Sequence, residues 1–139
     1  RYLHCFSRRQ RQICIRDSVT HQAISTSERL NTIHETGTTT GEYLVGLMGS
    51  LADLEIVKQK FPDGTPVHDA FVTAYLVDSS LTTGEVTNVE VEVDSELTLG
   101  QTVVDINHIS GRNKNVHWMN KVDDEKLFNI ITNTSKLLP

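Results

Sequence analysis

At 139 residues, with 37% hydrophobic and 22% charged side chains, the chain is long enough for one domain with a real core, and it reads as an ordinary soluble protein. No apolar run approaches the roughly 18 residues that a bilayer-spanning helix needs, and no secretory signal is visible. The net charge of −5 is unevenly spread: Arg1, Arg8, Arg9, Arg11 and Arg16 lie in residues 1–16 with no acid, which leaves eight basic residues against 18 acidic ones, a net −10, for residues 17–139. An acidic body of that kind argues against broad binding to a phosphate backbone. The two cysteines, Cys5 and Cys14, provide no disulfide framework for the rest of the chain and suit a reducing, cytoplasmic setting.

Taken in chain order, the predicted elements alternate in type. Thr26 or Ser27 can cap a short helix through His34, with Gly37 as its stop. Gly41 to about Lys60 reads as one amphipathic helix, because Leu44, Leu47, Met48, Leu51 and Leu54 recur at three- and four-residue spacing. Pro62–Pro66 breaks the chain into a turn or loop. A second helix, Ala70 to Val77, is nearly apolar all round and is expected to be buried. The period then changes to two: Val89, Val91 and Val93 alternate with Asn88, Glu90 and Glu92, the pattern of a half-exposed strand, with Gln101–Asp105 as its partner. Ile109–Asn115 is loop-like, Val116–Val122 forms another strand, and Asp123 or Asp124 caps a final helix bearing Leu127, Phe128, Ile131 and Leu137. The class is α/β.

Among residues that could carry chemistry, His68 and Asp69 stand out, because they sit where a Pro-rich loop meets the start of an apolar helix. A carboxylate is favoured at a helix N-terminus by the exposed N–H groups and the dipole, so Asp69 fits a plain cap and His68 a loop histidine. The functional reading is a histidine that gives a proton to a leaving group beside a carboxylate that binds a hard cation. His21 reads as a structural residue that packs or hydrogen-bonds. His108 and His117 lack a third ligand at zinc spacing. Asp63 belongs to a Pro-Asp-Gly turn, Trp118 to packing or an interface, and neither Cys5 nor Cys14 has the surroundings of a nucleophile.

Context sharpens that choice. Pro66-Val67-His68-Asp69-Ala70 followed by Ala74-Tyr75-Leu76-Val77-Asp78 resembles the stretch of inosine-uridine-preferring nucleoside hydrolases in which a P-L-H-D turn opens a helix. Asn88–Glu92, Glu96-Leu97-Thr98 and Gly100–Asp105 are similar to that family's hairpin, and Val19-Thr20-His21-Gln22-Ala23 to its D-V-T-H-Q-A segment. The resemblance runs from roughly Val19 to the end. It divides the chain into an Arg-rich segment, 1–16, unlike the family, and the C-terminal part of a nucleoside hydrolase-like domain, 17–139. The fold it implies is the C-terminal portion of an open, mainly parallel sheet with flanking helices and an antiparallel hairpin. The implied activity is hydrolysis of the N-glycosidic bond of ribonucleosides, releasing base and ribose in nucleoside catabolism or purine salvage. On this resemblance His68 corresponds to the general acid and Asp69 to a carboxylate ligand of Ca²⁺, the expected cofactor.

The family's Asp-rich metal loop has no counterpart here, so most calcium ligands are missing from the sequence. Two expectations follow from that departure. Either the chain is a truncated or partial hydrolase, working as a homo-oligomer or with a complementing N-terminal half, or it is a catalytically inactive remnant that binds a nucleoside or another subunit. An RNA-binding role for the Arg-rich tail is a weaker third. A sheet deprived of neighbouring strands is also expected to expose its edges and associate.

Overall fold

Short polar side chains cap three of the helices among the described residues. In the computed structural model, which describes residues 19–139, helix α1 (Ser27–His34) begins where Thr26 Oγ1 accepts a hydrogen bond from Arg29 N at 3.4 Å, and Gly37 lies beyond its end at φ 66°. Thr38 caps α2 (Thr39–Ala52) in the same way, through Gly41 N at 3.0 Å. Asp123 Oδ1 caps α5 (Asp124–Leu137) by accepting from Lys126 N at 2.9 Å. Each cap satisfies an N–H that the helix itself leaves without a partner.

The single long helix expected from Gly41 to Lys60 is two helices. After Ala52, Asp53 stays helical, but Leu54 turns extended at φ −66°, ψ 126°, and α3 (Glu55–Lys60) starts afresh. The apolar spacing runs through the break because Leu54 keeps the rhythm while leaving the helix. The expected burial of the second apolar helix is also corrected. In α4 (Asp69–Val77) only Ala74 is buried, and Leu76 and Val77 are 79% and 73% exposed. An apolar composition states that a helix can be covered, not that these residues supply the cover.

The described residues fall into two compact units. The first comprises Thr20–Thr82 and Val122–Pro139. Its core is Ala23, Ile33, Val67, Ala74, Leu81, Leu127 and Phe128. Two short strands, β1 (Ile24–Thr26) and β2 (Gly64–Pro66), pair antiparallel with Ile24 opposite Pro66 and Thr26 opposite Gly64. Val67 N continues the ladder by donating to Ala23 O at 3.0 Å. The stretch expected as a loop, Pro62–Pro66, therefore contains a strand. Gly64 permits it: its φ is +152°, and a Cβ there would run into the backbone of Ser25. The end of the chain is tied down as Thr38 Oγ1 donates to Ser135 O at 3.0 Å and Thr40 N to Pro139 O at 3.0 Å.

The second unit spans Thr83–Lys121 together with Val19 among the described residues. Here β4 (Val89–Val91) and β5 (Thr102–Val104) form the expected antiparallel hairpin, Val89 opposite Val104. A strand not foreseen from the sequence, β3 (Thr82–Thr87), pairs with β6 (Val116–Val122). The loop between β5 and β6 is laced by side chains: Asn115 exchanges two hydrogen bonds with Val89, and Asn88 Nδ2 donates to Asn113 O at 2.9 Å. Asp105 accepts from Ser110 Oγ first of all, and from Ser110 N and Ile109 N, and these hydrogen bonds hold its carboxyl below the usual carboxylate range. The α/β class stands. Within it the strands of the described residues pair two by two, and the β1–β2 and β4–β5 registers are antiparallel.

Candidate functional site

The β1–β2 register decides what surrounds His68. With Ile24 opposite Pro66 and Val67 bonded back to Ala23, the residues just before β1 come alongside those just after β2. Thr20, only 1% exposed, places Oγ1 2.9 Å from His68 Nδ1. The His21 ring packs edge-on against His68 at a centroid distance of 5.7 Å and against Phe61 at 4.8 Å. His68 is half-buried as a result, although it lies 48 residues from Thr20 in sequence.

His68 holds the cap position of α4 but does not act as a cap. Its backbone is helical, φ −96° and ψ −63°, and its side chain makes no capping hydrogen bond. The imidazole is turned to Thr20 instead. Asp69, read from the sequence as a plausible cap, is the first residue of the helix and is exposed. Its charge still suits the positive end of the helix dipole. The structure thus brings Thr20 and His21 to His68, with Asp69 next to it in sequence; the ring packing of His21 agrees with its structural reading, whereas Thr20 has no role in the sequence reading. The V-T-H-Q-A motif was the available signal for both.

A cleft of about 660 Å³ opens elsewhere in this unit, lined by Gln22, Arg29, Asp63, Asp124 and Phe128 among others; neither His68 nor Asp69 lines it. Its one guanidinium is committed. Arg29 Nη1 donates to Ile24 O at 2.8 Å, Nη2 pairs with Asp124 at 2.6 Å, and the group lies 4.4 Å from the Phe128 ring centroid. That arrangement binds α1 to α5 rather than offering a charge to a ligand. Among the remaining histidines considered, His108 pairs with Glu85 at 3.1 Å.

Residues 5–129 match the model of the inosine-uridine preferring nucleoside hydrolase family. The chain belongs to that family. The match begins inside the Arg-rich stretch 1–16, which lies outside the described residues. The chain is 35% identical over 71 residues to a probable ribonucleoside hydrolase of Dictyostelium discoideum, covering 51% of this chain and 21% of that protein. It is 27% identical over 113 residues to an inosine-uridine preferring nucleoside hydrolase of Crithidia fasciculata, covering 81% and 36%. Its fold is similar to that of a purine-preferring ribonucleoside hydrolase from Gardnerella vaginalis, with a TM-score of 0.68 at 22% identity over 87% of this chain and 39% of the other. The chain therefore spans between about a fifth and two fifths of the length of these proteins.

A calcium ion, implied by the resemblance to nucleoside hydrolases, takes about six to eight oxygen ligands. Asp69 brings one carboxylate. Among the described residues no group of three or more His, Cys, Asp or Glu is placed to hold a metal ion, so these residues do not by themselves fit such a site. Also among them, no helix is long and apolar enough to cross a membrane.

Proposed function

We propose that this chain carries the leaving-group end of a ribonucleoside hydrolase site, with His68 as general acid and Asp69 as one carboxylate ligand of Ca²⁺, the other ligands coming from outside the described residues. In the reaction, the bond between the sugar C1′ and the base nitrogen breaks with its electron pair passing to the base. The His68 imidazolium gives that nitrogen a proton, and a water oxygen bonds to C1′ while releasing one. The imidazole regains its proton from solvent, so nucleoside and water become base and ribose. Protonating the base as it departs removes the negative charge that would otherwise build on it, an effect worth roughly 10²- to 10⁴-fold in rate, and a histidine titrates in the range where that exchange is easy.

One observation carries the reading: a half-buried histidine at the start of α4, held through Nδ1 by a buried threonine and set beside Asp69. Family membership supports it. The relatives' names point to inosine, uridine or purine ribonucleosides as the substrate class. The reading places the protein in a cytoplasmic setting, supported by its cysteine usage. It also includes a homo-oligomer or a complementing N-terminal half, supported by the exposed apolar side chains of α2 and α4. The test is release of free base and reducing sugar from inosine and uridine by the full chain with added Ca²⁺. Turnover that disappears in His68→Ala supports the reading; turnover that survives the substitution overturns it.

A second reading has its own support. The cleft lined by Arg29, Asp124 and Phe128 does not include His68 or Asp69, as suits a catalytically inactive module that binds a nucleoside or a subunit. No turnover of either nucleoside, with or without Ca²⁺, would favour it.

A further inference from the structure

We propose that the cleft between α1 and α5 binds an extended organic polycation, a polyamine in chemical class, at a site separate from His68 and Asp69. The inference does not rest on the catalytic reading of that pair, since neither residue lines the cleft.

The cleft belongs wholly to the first unit. Four carboxylates line it, those of Glu28, Asp63, Asp124 and Glu125, against the one guanidinium of Arg29. Arg29 and Asp124 neutralise each other at 2.6 Å, which leaves three negative charges. Glu28 comes from the first turn of α1, Glu125 from the first turn of α5, and Asp63 from the turn that leads into β2. All three are exposed, and none pairs with a cation among the described residues. A concave wall of one sign focuses the field and draws in ions of the opposite charge. Yet no group of three or more His, Cys, Asp or Glu among the described residues is placed to hold a metal ion. The charges stand around a space of about 660 Å³, within the roughly 300–1,000 Å³ of small-molecule sites. Several positive charges spaced along a flexible chain match that arrangement; one compact ion does not.

A buried hydroxyl points to a ligand independently of the acids. Helical spacing puts Glu125, Phe128, Asn129 and Thr132 on the side of α5 that lines the cleft. A helical threonine can turn its hydroxyl back onto a carbonyl of the preceding turn, as Thr32 does on Glu28 O at 3.1 Å. Thr132 does not. It is 7% exposed, its hydroxyl has no hydrogen-bond partner among the described residues, and Ser135 Oγ donates to its carbonyl instead. Burying a hydroxyl in that state is unfavourable until a partner reaches it. An alkylammonium group has three donors and no acceptor, so it satisfies carboxylates and this hydroxyl alike. Ile24 and Phe128 supply apolar wall for the methylene stem between the charges.

The experiment is calorimetric titration of the full chain with spermidine at low ionic strength. One spermidine should bind saturably per chain, and added salt should weaken it. Glu28→Gln with Glu125→Gln should weaken binding by about twofold to thirtyfold, and Thr132→Val by about twofold to tenfold, with Thr132→Ser keeping wild-type affinity. Glu96→Gln, at an exposed acid of the second unit, should change nothing. No saturable binding, or full affinity in the double glutamine variant, overturns the proposal; so does an equal loss in Glu96→Gln, which would mean diffuse attraction to an acidic chain. Displacement of spermidine by inosine also overturns it, by assigning the cleft to the nucleoside. Should Thr132→Val fail to fold, the double variant decides alone, because both of its side chains are exposed.

Discussion

Lys126 Nζ lies 2.7 Å from Asp78 Oδ2 and so pins the 3₁₀ turn Ser79–Leu81, which follows α4, to the first turn of α5. Asp78 Oδ1 also accepts from Ser80 N at 2.9 Å and Ser80 Oγ at 2.7 Å. The hydrogen bond from Lys126, then those from Ser80, lower the Asp78 pKa to about 2. A carboxylate depressed in the folded state stabilises it at pH values above the unfolded pKa of about 3.9, and that contribution is lost as pH falls toward 2. Thermal melts should show the midpoint dropping across this window. Asp78→Asn should lower the midpoint at neutral pH and flatten that part of the profile; since both side chains are a third or more exposed, added salt should shrink the difference. An unchanged acid limb in Asp78→Asn would contradict the assignment.

Gly64 should tolerate no side chain. At φ +152°, with Ser25 backbone in the way of a Cβ, Gly64→Ala is expected to cost roughly 1–3 kcal/mol and to disturb β2, which leads directly into His68. Urea titration should show a lower midpoint. In the same variant the Nδ1 environment of His68 should change, linking the turn to the site.

Leu127 is fully buried in the core of the first unit with Ile33 and Leu81. Leu127→Ala should destabilise by roughly 2–5 kcal/mol, the range for a buried leucine replaced by a cavity. By contrast Leu76→Ala, at a position 79% exposed, should change stability little in the isolated chain. Equal losses in the two variants, measured by chemical denaturation, would mean that α4 is covered in solution.

The face of α2 that carries Tyr43, Leu47 and Leu51, continued by Leu54, is largely exposed. Contiguous apolar surface of this sort promotes association. Light scattering should therefore give a mass that rises with concentration, and the paired substitution Leu47→Lys with Leu51→Lys should reduce it. A concentration-independent monomer mass for the wild-type chain is the contrary outcome.

The legibility of the fold in the sequence varied with element type. Strand β6 was readable to its bounds, because the polar stretch Ile109–Asn115 precedes it and Asp123-Asp124 follows it, and α1 and α5 were readable from Thr26 and Asp123. Strands β1 and β2 were not. Three residues such as Ile24-Ser25-Thr26 or Gly64-Thr65-Pro66 carry no period, and their pairing depends on a partner 40 residues away. The break at Leu54 was hidden because an apolar residue there continues the helical spacing. For the site, His68-Asp69 was conspicuous through its resemblance to a family motif. Thr20 was not, since a threonine is unremarkable until a register places it against an imidazole.

Three rungs of β-ladder hold the two halves of the candidate site in step, and this has a consequence for how the protein can change. A single residue inserted between Ala23 and Thr26, or between Gly64 and Val67, would turn one strand over and carry Thr20 or His68 to the opposite side. The intervening residues 27–63 have no such constraint, because lengthening a closed loop costs free energy only slowly. Variation in length should therefore concentrate in the helical excursion, while the spacing within each short strand stays fixed.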